Sequence, residues 1–252
     1  MNEPGLSPRQ TGGGRIESTV SGSRLWIPPG DQKSYRLAQL DDCNERRRSE
    51  FRWRPPVYVG LRARVNATDL PGTWGFGFWN DPLGVGCGPN MEGTRLPAFP
   101  MALWFFYASA RSHLSLNNSN PPHGFYAQVF KSPEPGPWLL PVGFALALKP
   151  RRGRHELARH VTEETARVEV DPSAWHRYEI EWEERSARFR IDGRSLLQTT
   201  AAPPAPLGMV IWIDNQYASF GPSGRLSWGL ESGIQEAWLE IDDLVCQSQP
   251  SA

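Results

Sequence analysis

The 252-residue sequence contains no run of about 18 apolar residues, so no part of it reads as a helical membrane span. It has no excess of charge either. Lys plus Arg and Asp plus Glu each number 27, which removes net charge as a reason to bind nucleic acid or an anionic membrane. Cysteine is scarce: Cys43, Cys87 and Cys246 lie far apart, form no Cys-x-x-Cys pair, and leave at least one thiol unpaired within the chain. The Gly-x-Ser-x-Gly elbow, the His-Glu-x-x-His zinc motif, the phosphate-binding loop and the dinucleotide fingerprint are all missing. Among five histidines only His155 and His160 are close, in the basic run Lys149–His160, which is expected to be a solvated loop. The N-terminal stretch lacks the basic start and apolar run of a secretory signal, so a cytoplasmic location is expected.

What the chain does contain is proline and glycine, 24 of each, and 11 tryptophans. That composition suits short strands, many turns, and aromatic side chains in a core or cleft. Residues 1–23 are Gly/Ser/Pro-rich without pattern and are expected to be disordered or loosely draped. From residue 24 to 252, β-type segments follow one another as one domain. Val57–Val65 alternates Val57, Val59, Leu61, Ala63 and Val65 with Arg62 and Arg64 on the other face. Pro100–Ala110, PMALWFFYASA, is apolar on both faces, as a doubly covered strand is. Ile191–Gly193 marks a hairpin turn. His155–Val170 is the one segment patterned as a helix, with ARVEV at its end able to be a strand.

In WHRYEIEWEE, Trp175–Glu184, strand periodicity puts Glu179, Glu181 and Glu183 on one face. The opposite face carries Tyr178, Ile180 and Trp182, so the glutamates read as the wet side of a sheet. Arg188 and Arg190 on the next strand are placed to pair with them.

Four segments in order carry a resemblance. WHRYEIEWEERSARFRIDGRSLLQT resembles the W-x-x-Y-x-I-E-W, x-x-F-x-x-D-G hairpin of the family-16 glycoside hydrolases. VYVGLRARVNATDLPGTWGFGFWND is similar to their strand pair ending G-T-W-x-x-F-W. PLGMVIWIDNQYASF resembles their cleft-lining segment, and EAWLEIDDLVCQ their closing strand. The resemblance implies an all-β, concanavalin-like jelly-roll sandwich of two antiparallel sheets. It also implies that the catalytic E-x-D-x-E strand falls on PMALWFFYASA. One pairing puts Trp104 and Phe106 at the first glutamate and the aspartate; a shift of one puts Leu103, Phe105 and Tyr107 there. No Asp or Glu occurs from Gly93 to Pro133, so neither register supplies the carboxylates of the retaining mechanism. Asp242 matches an aspartate that often helps hold a structural calcium ion in that family.

The resemblance makes Trp79, Asn80, Trp104, Phe106, Trp212, Asp214 and Asn215 the candidate cleft residues. Aromatic faces stack on sugar rings, and Asn and Asp bond to hydroxyls. The expected function is therefore ligand binding, to a glycan or other small molecule, without the usual hydrolysis. The alternative is an enzyme or carrier for an apolar metabolite of terpenoid or polyketide type, with Asp214 as its acid. A third reading pairs Asp81 or Glu92 with Asp214 as unconventional hydrolytic carboxylates. Asp214 and Asn215 equally fit a plain turn after GMVIWI.

Overall fold

The computed structural model describes residues 5–44, 46–82, 95, 98–113, 115, 123–133, 159–204, 206–220 and 226–248. Alternating residues become paired strands almost throughout, because only a sheet buries one side of such a segment while satisfying its backbone. The first seven-stranded sheet runs in the order β1 (Ser7–Thr11), β4 (Leu37–Asp41), β13 (Gly208–Asp214), β6 (Thr73–Trp79), β7 (Ala102–Ala108), β8 (Gly124–Lys131) and β9 (Thr162–Arg167). The second runs β12 (Arg194–Thr199), β11 (Ala187–Ile191), β10 (His176–Trp182), β5 (Val57–Val65), β16 (Ala237–Ser248), β3 (Gly22–Ile27) and β2 (Arg15–Ser18). A separate hairpin joins β14 (Gln216–Phe220) to β15 (Leu226–Leu230). Neighbouring strands in both sheets are antiparallel. This is the expected jelly-roll β-sandwich.

The core lies between the two large sheets. The apolar set of β5 enters it from one side, and Phe76, Leu103 and Phe105 enter from the other. Phe105 meets Tyr178 edge-on at 5.0 Å and Phe189 at 5.3 Å, a favoured arrangement of ring quadrupoles. Trp182 is fully buried, and its indole N–H donates to the Pro203 carbonyl at 3.1 Å. The alternation seen around Trp175–Glu184 therefore serves packing.

On the opposite face of β10 the glutamates are paired. Glu179 accepts a hydrogen bond from the Tyr58 hydroxyl at 2.7 Å, and Glu181 meets Arg190 at 2.6 Å and Arg188 at 3.3 Å. These cross-strand pairs are partly exposed and screened by solvent. Glu181→Gln is expected to change unfolding stability by no more than about 1 kcal/mol in urea titration.

Two expectations are corrected. Residues 1–23 are not loosely draped as a whole, because Ser7–Thr11 pairs with β4 and Arg15–Ser18 pairs with β3. Edge strands need only one hydrogen-bonding partner and expose most side chains, so they carry no apolar alternation, and Pro8 is tolerated there. Thr162–Arg167 is strand rather than helix, since pairing with β8 overrides the helix preference of Glu, Ala and Arg. Residues 155–158 of that segment, the β-type stretch VGFALAL at 142–148, Cys87 and Glu92 lie outside the described residues. No helix among the described residues is long and apolar enough to cross a membrane.

Candidate functional site

β7 settles which of its two apolar faces looks away from the core. Leu103, Phe105 and Tyr107 join the central cluster, whereas Ala102, Trp104, Phe106 and Ala108 pack in separate clusters on the outer face of the first sheet. Leu37 of β4 and Val210 and Trp212 of β13 share that face. Between β7 and β13 lies β6, where Gly77 stands opposite Trp104 and Gly75 opposite both Phe106 and Trp212. A Cβ on Gly75 would come within 2.8 Å of the Trp212 ring, and one on Gly77 within 2.8 Å of the Trp104 Cβ. Gly77 also has φ of +147°, which side chains disfavour. The two glycines in TWGFGFW thus leave space over β6 for the neighbouring indoles.

The result is an aromatic floor spanning three strands. Trp104 stacks on Phe106 at 5.1 Å and lies 5.4 Å from Trp212 and 6.3 Å from Trp79. Phe106 and Trp212 are only 6% and 8% exposed, whereas Trp79 and Trp104 are half-buried. The rings that offer surface to a ligand are therefore Trp79 and Trp104.

Polar groups border this floor in two relays. On one side the Trp212 indole N–H donates to the Thr73 hydroxyl at 3.0 Å, and that hydroxyl donates to Asp214 at 2.8 Å. Asp214 also accepts from the Tyr35 hydroxyl and from the Thr73 and Gln216 amides. Burial nevertheless dominates and pushes the Asp214 carboxyl up to about 6, with these hydrogen bonds opposing it. On the other side the Trp104 indole N–H donates to the Gln128 carbonyl at 3.0 Å, and the Gln128 amide donates to Glu163 at 2.9 Å. A third carboxylate, Asp41, accepts from Gln39 at 2.7 Å on β4.

Of the residues expected in the cleft, the structure brings together Trp79, Trp104, Phe106, Trp212 and Asp214. Asn80 and Asn215 are not free to meet a ligand. Asn80 staples the Phe99 carbonyl and the Met101 amide, and Asn215 holds backbone groups of Ser34, Arg36 and Glu231. Asp81 is also removed from any hydrolytic pair with Asp214. Its carboxylate is buried against Arg95, whose guanidinium also donates to the Cys43 and Arg46 carbonyls. Asp81 follows the Trp79 end of β6 while Asp214 pairs with Thr73 at the other end, about 20 Å apart at strand rise.

Asp242 does not fit a hard cation, which wants six to eight oxygen ligands. Its carboxylate faces the Arg62 guanidinium at 3.7 Å and caps the Asp243 amide. Neighbouring Glu240 is taken by Arg24 and Arg64. No group of three or more His, Cys, Asp or Glu among the described residues is arranged to hold a metal.

Reading the sequence missed Thr73, Gln128, Glu163, Gln39 and Asp41. They are one or two polar residues on the outward side of a strand, a pattern that a solvated face produces equally well. Glu163 was further hidden by the helix-like composition around it.

A two-sheet jelly roll with an aromatic outer floor on one sheet is the class that these features define. No family model and no curated protein sequence matches the chain. Solved structures do. The β-glucanase of Bacillus licheniformis superposes with a TM-score of 0.51 at 11% identity, covering 99% of this chain and 95% of that one. LamAcat from Zobellia galactanivorans gives 0.46 at 10% identity, with 93% and 80% covered. A putative β-glucanase from Mycobacterium abscessus gives 0.47 at 14% identity, with 90% and 76% covered. The chain has a fold like that of glycoside hydrolase family 16. At such low identity the likeness concerns the fold alone.

Proposed function

We propose that the outer floor of the first sheet binds a neutral glycan, and does so without retaining two-carboxylate hydrolysis. The observation that carries this reading is the Trp79–Trp104 pair, half-buried at 6.3 Å, with Trp104 on the strand where the family-16 resemblance would put the nucleophile. Sugar rings have C–H faces that stack on indoles, and the half-buried Glu163 at the border is the carboxylate placed to meet their hydroxyls. Three carboxylates beside the floor favour an uncharged chain over a uronate.

Among the described residues, the carboxylates that border the floor are not spaced for chemistry of the usual kind. Retaining enzymes hold two carboxyl groups about 5–5.5 Å apart and inverting ones about 6.5–9.5 Å. In the strand register Asp214 stands opposite Leu37, four residues or about 13 Å along β4 from Asp41. Glu163 lies four strands away from β13, about 19 Å at normal strand spacing.

Calorimetric titration with mixed-linkage and β-1,3-glucan oligosaccharides and with galactan fragments tests the reading. Binding is expected to at least one of them, with no reducing ends released. Trp104→Ala is expected to weaken that binding at least about tenfold, or roughly 1.4 kcal/mol. Hydrolysis by the wild type, or an apolar molecule extracted from a protein that binds no glycan, would overturn it.

A further inference from the structure

We propose that Gln128 and Glu163 are positioning residues of this floor: they lock the Trp104 indole so that its face, and not its N–H, meets the ligand. The inference rests on the glycan-binding reading and extends it to residues that do not themselves stack on a sugar.

Trp104 on β7 stands directly opposite Gln128 on β8, and Gln128 is opposite Thr165 on β9. Glu163 lies two residues along β9, which places it diagonally from Gln128 on the same face. The four groups form a chain whose donors all point toward the Glu163 carboxylate. The indole N–H donates to the Gln128 carbonyl, the Gln128 amide donates to one Glu163 oxygen, and the Ser115 hydroxyl donates to the other at 3.1 Å. Gln128 is only 5% exposed, so its amide has little water to turn to. A carboxylate at the far end polarises the amide and strengthens the hold on the indole.

Trp212 is treated in the same way at the other border, through Thr73 and Asp214. Both indoles therefore spend their one donor inside the protein, and only ring faces remain to be offered. Trp79 differs, because its buried indole nitrogen has no partner among the described residues. Of the two half-buried rings, Trp104 is thus the one whose orientation is set by side chains.

The order of donors and acceptors supplies the test. Gln128→Glu sets two carboxylates against each other where the amide now donates, and it breaks the chain. Exchanging the pair, Gln128→Glu with Glu163→Gln, restores it: the new carboxylate accepts from Trp104, and the new amide donates to that carboxylate and accepts from Ser115. Full-length wild type, Q128E and the double variant are titrated with whichever of those glucan or galactan fragments the wild type binds. The Trp104 indole N–H resonance is followed in parallel, assigned by its loss in Trp104→Phe.

Q128E is expected to lose at least about tenfold in affinity and to shift the indole resonance, and the exchange to recover both to within about threefold. A stable Q128E that binds as the wild type does, or an exchanged pair that folds without recovering affinity, overturns the inference alone. If Q128E does not fold, the exchanged pair decides by itself. A wild type that binds no glycan overturns the inference together with the reading beneath it.

Discussion

Arg95→Ala is expected to lower unfolding stability by about 3–5 kcal/mol, because it strands a buried charge. Asp81 is fully inaccessible, and Arg95 is 9% exposed. The guanidinium does three things at once: it pairs with Asp81, donates to the Cys43 carbonyl and donates to the Arg46 carbonyl. Truncating it takes from Asp81 the cation paired with it and from the Arg46 carbonyl its guanidinium donor, while the Cys43 carbonyl keeps the Arg46 amide at 3.3 Å; the cost of unmet buried groups exceeds the net worth of the bonds made. At about 2–4 °C per kcal/mol for a chain of this size, the melting temperature should fall by roughly 6–20 °C. The control is Arg95→Met with Asp81→Asn, which removes both charges; Asn tolerates the positive φ of 47° at that position. The double variant should lose clearly less than Arg95→Ala alone. If the two lose equally, or Arg95→Ala stays within 1 kcal/mol of wild type, the stranded-charge account is wrong.

The second large effect depends on pH. Asp214 titrates near 6 in the folded protein against an ordinary 3.8, with burial as the leading cause. The folded state thus holds a proton more tightly than the unfolded chain does. Stability falls as pH rises from about 4 to about 6, and the full penalty is present above 6. A shift of about two units corresponds to roughly 3 kcal/mol. Asp214→Asn keeps one oxygen for the Thr73 and Gln216 amides and cannot ionise. Its stability, measured by urea titration between pH 4 and pH 8, should fall less with rising pH than that of the wild type, so that the variant gains most at pH 7–8. Asp42 is shifted upward by burial too and contributes in the same direction, so the wild-type profile alone does not isolate Asp214. The difference between the two profiles does, and parallel curves would remove Asp214 from the account.

Where one face of a strand was apolar and the other charged, sequence periodicity located the strand and its inward side. This holds for Val57–Val65 and for the hairpin of Trp182 and Phe189. β7 was legible as a strand but not as an oriented one, because both of its faces are covered and both are therefore apolar. Its orientation came only from the packing, which puts Leu103, Phe105 and Tyr107 in the central cluster and Trp104 and Phe106 outside it. The floor was half legible. Trp104, Phe106 and Trp212 are visible as aromatics in the right segments, while Thr73, Gln128 and Glu163 look in a sequence like ordinary solvated strand residues. Asn80 and Asn215 were chosen because amides suit sugars, but amides suit bare backbone groups at strand ends equally well, and the nearer partners took them. The N-terminal strands were invisible because an edge asks for little beyond a free backbone.

The position of β16 governs when this molecule can fold. Residues 237–248 lie between β5 and β3, both made from the first 65 residues. Until residue 237 and its successors leave the ribosome, β3 and β5 have no partner between them and the second sheet stays open. Such distant pairings must overcome a large loop-closure entropy before any contact rewards them, which makes folding slow. During synthesis the growing chain therefore carries an unfilled slot flanked by two apolar strands, and a chaperone that shields it has work to do until this late strand arrives.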